Sequence, residues 1–583
     1  MFWRFFFLLS TLPAILVAMR NSIKHVKLNV RVHGPSDARM HWWKHAVIYE
    51  IYPRSFQDSN GDGVGDLNGI TARLSYLQDL GVDAIWLTPI YPSPQVDFGY
   101  DISDYEAIDP QYGTMWDFDR LVAEAKKHKI RVIMDFVPNH TSDQHPWFLA
   151  SRSSQDNARR DWYIWRDGKG PGQPPNNWLS WFGHSAWTFD ATTGQYYYHF
   201  FYPQQPDLSW RNPEVREAMC DVLRFWLRRG VGGFRLDAVS RLFEAADLKD
   251  NPILPGTNAY GDPNIQHKYT ENLPEVHEVL REFRKVVSEF PGEPVLISEA
   301  DEPNIAELTR LYGSHGDEVQ LPMDFQVADV NRLSASAFRT LFEEVEHNAA
   351  AGQPYIFFSN HDQPRQWDRY GDGIHNDAIA KLLAALLLTT QSTPQMYYGE
   401  EIGMRTTLPT RKEDVRDPIG KLGWPTEKGR DGERTPMQWD ASPHAGFTTG
   451  TPWLPVPESA KLYNVEVEQQ DPESLLHFYK RLISLRRSQR AFRDGSYAAL
   501  NPEDENVFSY LRRDAEGHHA IIVALNMSPE THTVAFNLGA IGLPQASLRA
   551  LLTAPSHFHM LESRNRATLP PYAVFIGQIL PNS

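Results

Sequence analysis

Residues 233–239 read GFRLDAV, and the same figure returns at 295–300, VLISEA, and at 355–362, YIFFSNHD. Each is a short apolar run that closes on a carboxylate: Asp237, Glu299 and Asp362 in turn. Each run has the length of a buried strand bounded by turn signals, and a helical pattern follows it, as a repeated βα unit requires. Parallel strands point the same way, so their C-terminal ends would gather the acids at one mouth. Outward from these, strand candidates lie at 46–52, 84–90, 131–137, 233–239, 294–300, 321–325, 355–360 and 394–398. Helical patterns at 68–80, 114–128, 213–229 and 274–289 fall between them. This alternation predicts an α/β chain folded as a (β/α)8 TIM barrel, a fold that carries its chemistry on the loops after the strands.

The rhythm fails after the third strand, where about seventy residues precede the next helix, too many for a structureless loop. Residues 139–207 are therefore expected to form an inserted subdomain B, with the catalytic barrel split into 41–138 and 208–496. Trp147, Trp162, Trp165, Trp178, Trp181 and Trp187 cluster in the insert. They either wall the mouth, where flat rings stack on sugars, or form the insert's own core. After a helical pattern at 471–490, the alternation in NVFSYLRR, AIIVALNMS and HTVAFNL predicts a C-terminal antiparallel β domain over 497–583.

The chain of 583 residues is 41% hydrophobic with a net charge of −16, an ordinary globular composition without the basic clustering a nucleic-acid groove needs. A single cysteine, Cys220, excludes an intrachain disulfide and a thiolate zinc site, and its place in the 213–229 pattern predicts a small buried hydrophobe. Residues 1–40 form an N-terminal extension. Arg4 precedes an apolar run over 5–18, short for a spanning helix, while Met40 stands just before HWWKHAVIYEIYPRSF. A signal or anchor and a start assigned too far upstream both fit this segment. The expected location is cytoplasmic, or exported if residues 1–20 act as a signal, with membrane contact only if 5–18 is a retained anchor. No oligomeric state is legible.

Breaking a glycosidic bond takes one carboxylate to attack the anomeric carbon and one protonated carboxyl to donate to the leaving oxygen. Arg235 lies two residues before Asp237, so both face the barrel interior, and its guanidinium is expected to hold Asp237 ionised as a nucleophile. Glu299 ends an apolar strand, where burial would raise its pKa and suit it to the acid role. His361 and Asp362 are placed to bind sugar hydroxyls.

These residues, with DFVPNH ending at His140 and QPDLSW at 205–210, resemble the α-amylase family of glycoside hydrolases (glycoside hydrolase family 13) from Trp42 onward. The resemblance implies that Asp237 is the nucleophile, Glu299 the general acid/base and Asp362 the transition-state stabiliser, with Arg235, His140 and His361 around the bound ring. SPQVDFGYDISDY adds Asp97 and Tyr100, which by similarity grip the terminal sugar, and GRDGERTPMQW adds Arg430, which by similarity closes the pocket. That pairing is similar to exo-acting α-glucosidases and oligo-1,6-glucosidases. Ala238 after the nucleophile, where α-1,6 enzymes of the family carry valine, favours α-1,4 linkages in maltose-type substrates; Ser209 stands where most relatives have asparagine.

DSNGDGVGD at 58–66 offers hard oxygens at alternate positions: Asp58, Asn60, Asp62, the Val64 carbonyl and Asp66. The expected ligand is a structural Ca2+, with Mg2+ as the alternative; no organic cofactor and no nucleic acid are expected. The substrate is a small α-glucoside or oligosaccharide. Two other functions stay open. A transglucosylase or trehalose-synthase-like isomerase would use the same glycosyl-enzyme intermediate. A non-catalytic transporter heavy chain resembles the barrel but lacks the carboxylates that this chain keeps.

Overall fold

The computed structural model describes residues 41–348, 351–517, 519–539, 547–556 and 565–580; the signal, anchor and start-site readings of 1–40 fall outside them. The barrel strands are β1 (Ile48–Ile51), β2 (Ala84–Leu87), β3 (Arg131–Phe136), β4 (Gly233–Leu236), β5 (Val295–Ser298), β6 (Leu321–Pro322), β7 (Tyr355–Ile356) and β8 (Thr393–Tyr397). They pair in parallel in the order β6-β5-β4-β3-β2-β1-β8-β7, and a parallel bridge between Met323 and Tyr355 joins the two ends. All eight expected strands are present; seven are shorter than their apolar runs, and the eighth, Thr393–Tyr397, keeps the expected length one residue earlier.

Strand parity places the chemistry. Ile48, Ile133, Ile297 and Phe357 belong to one apolar cluster that fills the barrel interior. Two residues further along β1, β3 and β5, on the same face, stand Glu50, Asp135 and Glu299. The apolar filling thus gives way, one layer up, to ionisable groups at the C-terminal mouth. The opposite faces of the strands pack on the helices. Pro213–Arg228 shows how: Asn212 caps it through Glu214 N–H, and Val215, Met219, Leu223, Trp226 and Leu227 form its buried stripe, with Cys220 buried beside them. Such a cap contributes about 1 kcal/mol, so burial of the whole stripe stabilises the helix more than its cap does. The pattern read as one helix over 68–80 is two, Leu67–Ala72 and Leu74–Leu80, broken at Arg73.

In the insert, Trp165–Arg166, Gln195–Tyr198 and Trp187–Asp190 form a three-stranded antiparallel sheet. Its tryptophans are core: Trp162, Trp165, Trp178 and Trp187 are buried and Trp147 is half-buried, while Trp181 alone is exposed, at 49%. The C-terminal part begins with Ser496–Ala499 and forms a five-stranded antiparallel sheet, with a two-stranded sheet of His532–Ala535 and Arg566–Leu569 beside it. A hairpin of Ile253–Thr257 and Pro263–Ile265 in the loop after β4 carries no clear alternation, and the sequence reading missed it. Among the described residues, no helix is long and apolar enough to cross a membrane.

Candidate active site

Arg235 is the centre of the site. It sits on β4 in direct register with Asp135 on β3 and Ile297 on β5, and it is fully buried. Its Nη1 donates to Asp237 Oδ1 at 2.6 Å and to both Asp135 oxygens at 3.1 and 3.2 Å. Nη2 pairs with Glu299 Oε2 at 2.8 Å. One cation therefore serves three carboxyls.

This sharing corrects the expectation that Arg235 simply holds Asp237 ionised. Burial pushes the Asp237 carboxyl well above the usual carboxylate range, Arg235 opposes that, and the charges of Glu299 and Asp135 add to it. Burial likewise raises Asp135 to about 6 against the pull of Arg235. Three acids around one guanidinium favour keeping a proton in the cluster. The expected apolar burial of Glu299 also needs correcting: its side chain is 24% exposed, because the strand ends at Ser298 and Glu299 emerges at the mouth.

The turn after Asp237 is specialised. Ala238 has φ 48° and ψ 38°, a left-handed conformation that costs a non-glycine residue about 1 kcal/mol or more. It sends the chain back so that the Ala238 N–H donates to Glu299 Oε2 at 3.1 Å, locking the turn after Asp237 to the second acid. A β-branched residue would be more strained here than alanine.

Asp362 sits in a separate nest of charge. Its Oδ1 accepts from Arg430 Nη1 at 2.9 Å and Arg434 Nη2 at 2.7 Å, and Oδ2 lies 3.2 Å from His361 Nε2. Burial would raise Asp362, yet its neighbours hold it well below the usual carboxylate range. The lowering comes from His361 and from the two guanidinium groups of Arg430 and Arg434, while burial lowers His361 itself well below its ordinary value. Arg430 further reaches Asp97 Oδ1 at 2.8 Å and Asp417 Oδ2 at 2.8 Å, joining the loops after β2, β7 and β8.

Tyr100 lies parallel to His361, with ring centroids 5.5 Å apart, and its hydroxyl donates to Asp135 Oδ2 at 3.0 Å. His140 Nε2 donates to the Tyr100 carbonyl at 3.1 Å, and burial lowers its pKa to about 3, so the ring is neutral. Every residue expected at the mouth is thus brought together: Asp97, Tyr100, His140, Arg235, Asp237, Glu299, His361, Asp362 and Arg430. Sequence reasoning missed Asp135, Asp417, Arg434 and Glu50. Asp135 and Glu50 had a signal, a lone acid inside an apolar strand; Asp417 and Arg434 lie in an irregular loop with no period to read.

The 58–66 loop folds on itself. Asp58 Oδ1 accepts from Asn60 and Gly61 N–H and Oδ2 from Gly63 N–H, while Asp66 accepts from Ser59 and caps the next helix through Gly69 N–H. Asp62 accepts from Asn60 Nδ2 and Val64 N–H. Among the described residues no group of three or more His, Cys, Asp or Glu side chains converges on a metal position. The donors are nonetheless all hard oxygens, the chemistry that suits Ca2+. The loop is anchored to 447–453 by Asp58 N–H on the Phe447 carbonyl and Trp453 N–H on the Gly63 carbonyl, both at 3.0 Å.

A family model described as the alpha amylase catalytic domain matches residues 50–495. The chain is 45% identical over 504 residues to a probable alpha-glucosidase of Rhizobium meliloti (strain 1021), covering 84% of this chain and 90% of that protein. It is 41% identical over 529 residues to the oligo-1,6-glucosidase of Parageobacillus thermoglucosidasius, covering 84% and 91%. Among solved structures, an alpha-glucosyl transfer enzyme superposes with a TM-score of 0.85 at 38% identity, covering 93% of this chain and 100% of that one.

Proposed function

The chain belongs to the alpha-amylase family, and from that premise we propose that it is a retaining, exo-acting α-glucosidase that removes terminal non-reducing glucose from maltose-type α-1,4 substrates. The observation that carries the reading is Arg235 bridging Asp237 and Glu299 through adjacent guanidinium nitrogens. Two carboxyls on one guanidinium are close neighbours, and close spacing suits a nucleophile and an acid rather than two groups separated by a water. Asp237 attacks the anomeric carbon as Glu299 gives its proton to the departing oxygen. Glu299 then takes a proton from water, whose oxygen displaces Asp237, so configuration is retained. Asp362, His361, His140, Tyr100, Asp97 and Arg430 hold the sugar ring. We assign 41–138 and 208–496 to the catalytic barrel, 139–207 to the inserted subdomain and 497–583 to the C-terminal β domain.

A panel of maltose, isomaltose, sucrose, trehalose and nitrophenyl α-glucoside tests this. With Ala238 in its left-handed turn, maltose is expected to exceed isomaltose in kcat/KM by about tenfold. The solved relatives named for alpha-glucosyl transfer and trehalulose synthesis support a second reading, in which the intermediate passes to a sugar acceptor. Dominance of transfer products over free glucose at high maltose would establish it. Failure to cleave any α-glucoside would leave a binding protein. A cytoplasmic location is part of the same proposal; a mature native protein whose N-terminus falls after residue 20 would mark export instead.

The same proposal places a structural Ca2+ among Asp58, Asn60, Asp62, the Val64 carbonyl and Asp66. The ion would fasten the loop against 447–453, and no catalytic step depends on it. Thermal unfolding in chelator and in added calcium is the check. A Tm several degrees higher with calcium, about 1–3 kcal/mol of linkage, is expected; equal values would remove the ion from the proposal.

A further inference from the structure

One buried acid at the mouth has no part in the mechanism so far. Glu50, on β1, is fully buried. Its Oε1 lies 2.6 Å from His361 Nδ1, and Oε2 accepts from Gln395 Nε2 at 2.7 Å. Gln395 is itself oriented by the Tyr355 hydroxyl, which donates to its Oε1 at 2.9 Å. The His361 ring is held between Tyr100 and Tyr52, with Trp86 at its edge, so it can neither tilt nor flip freely.

The proton positions follow from counting. The Tyr100 hydroxyl has one hydrogen and gives it to Asp135, so across its 2.7 Å contact with His361 Nε2 it can only accept. Nε2 therefore carries a hydrogen, and Asp362 Oδ2 lies 3.2 Å from the same nitrogen. A carboxyl oxygen and a ring nitrogen 2.6 Å apart must share a proton as well. An isolated neutral imidazole could place its one hydrogen on either nitrogen, and the Nδ1 form would turn a lone pair on Asp362.

We propose that Glu50 is a positioning residue for the reaction: it holds a proton on the far side of His361, so that Nε2 is kept as a hydrogen-bond donor facing the sugar and Asp362. Burial supports this by raising the Glu50 carboxyl well above its ordinary range while lowering His361, which favours a neutral acid donating to Nδ1. The other ionisable groups around Glu50 are Arg235, which opposes that rise, and Asp362, Asp135, Tyr355 and Tyr397. When rising pH removes the shared proton, the Glu50 carboxylate requires hydrogen on Nδ1, and Nε2 ceases to donate. A glutamine at this position cannot lose a proton in that range, and its amide can still donate to Nδ1.

The inference rests on the α-glucosidase reading, and α-glucosyl fluoride separates the two. Its leaving group needs no proton from Glu299, so the alkaline side of kcat/KM reports on the Glu50–His361 pair. Wild type, Glu50→Gln and Glu50→Leu are compared from acid to alkaline pH. Glu50→Gln is expected to stay within about threefold of wild type at neutral pH, with its alkaline decline displaced upward. Glu50→Leu is expected to lose about tenfold or more, as when an oriented donor is removed. A Glu50→Gln profile that superimposes on wild type, or a folded Glu50→Leu with unchanged kcat/KM, overturns the proposal. Should Glu50→Leu fail to fold, the glutamine profile decides alone. Wild type inactive on the fluoride would instead sink the glucosidase reading itself.

Discussion

Asp237→Asn is expected to lower kcat/KM for maltose by about a thousandfold or more, about 4 kcal/mol of transition-state stabilisation, while the protein stays folded. The two halves of that result have one cause. An amide has nearly the shape of the carboxylate, so the left-handed turn at Ala238 and its bond to Glu299 should persist. It cannot, however, form the covalent bond to the anomeric carbon. Removing one of three carboxyls from a single buried guanidinium also relieves repulsion with Asp135 and Glu299, which both push Asp237 upward in pKa. Tm is therefore expected to match or exceed the wild-type value. A folded variant that keeps a tenth or more of the activity would deny Asp237 the nucleophile's role.

Arg235→Met should do the reverse, costing stability as well as activity. Methionine can fill much of the space and keep contact with the Trp86 ring, over which the guanidinium lies at 5.0 Å. It leaves Asp135, Asp237 and Glu299 without their shared cation, and breaking a buried ion pair from one side costs about 3–5 kcal/mol. The sign of the pH dependence follows. Without Arg235 the buried carboxyls have folded pKa values further above their unfolded ones, so the penalty is absent when they are protonated in both states and grows as pH rises. Urea titrations should show the deficit greatest near neutral pH and shrinking toward about pH 4. A deficit independent of pH would mean that the loss is one of packing.

Much of this architecture was legible because the barrel repeats one rule. A short apolar run followed by an amphipathic helix marks a βα unit, and its recurrence located all eight strands. The acids at 237, 299 and 362 stood out because each interrupts such a run at its end. What stayed hidden depends on register between segments distant in sequence. That Asp135 faces Arg235 is a matter of β3 lying beside β4 across the insert, and nothing local to DFVPNH states it. The protonation logic failed for the same reason: Asp237 beside Arg235 reads as one pair, whereas the fold makes Arg235 the partner of three acids. The tryptophans of the insert could not be sorted by composition, since stacking on a sugar and packing in a small core call for the same residue. Only Trp181 proved exposed.

The three-way hold of Arg430 on Asp97, Asp362 and Asp417 has a kinetic corollary. Loops from separate parts of the barrel rim are tied together, and in the proposed exo-acting reading they close one end of the pocket, so substrate and product share an opening. Traffic is then ordered: the aglycone, nearer the opening, departs first, and glucose leaves last from the position that the next substrate must occupy. Glucose is accordingly expected to inhibit by competing with substrate for the free enzyme.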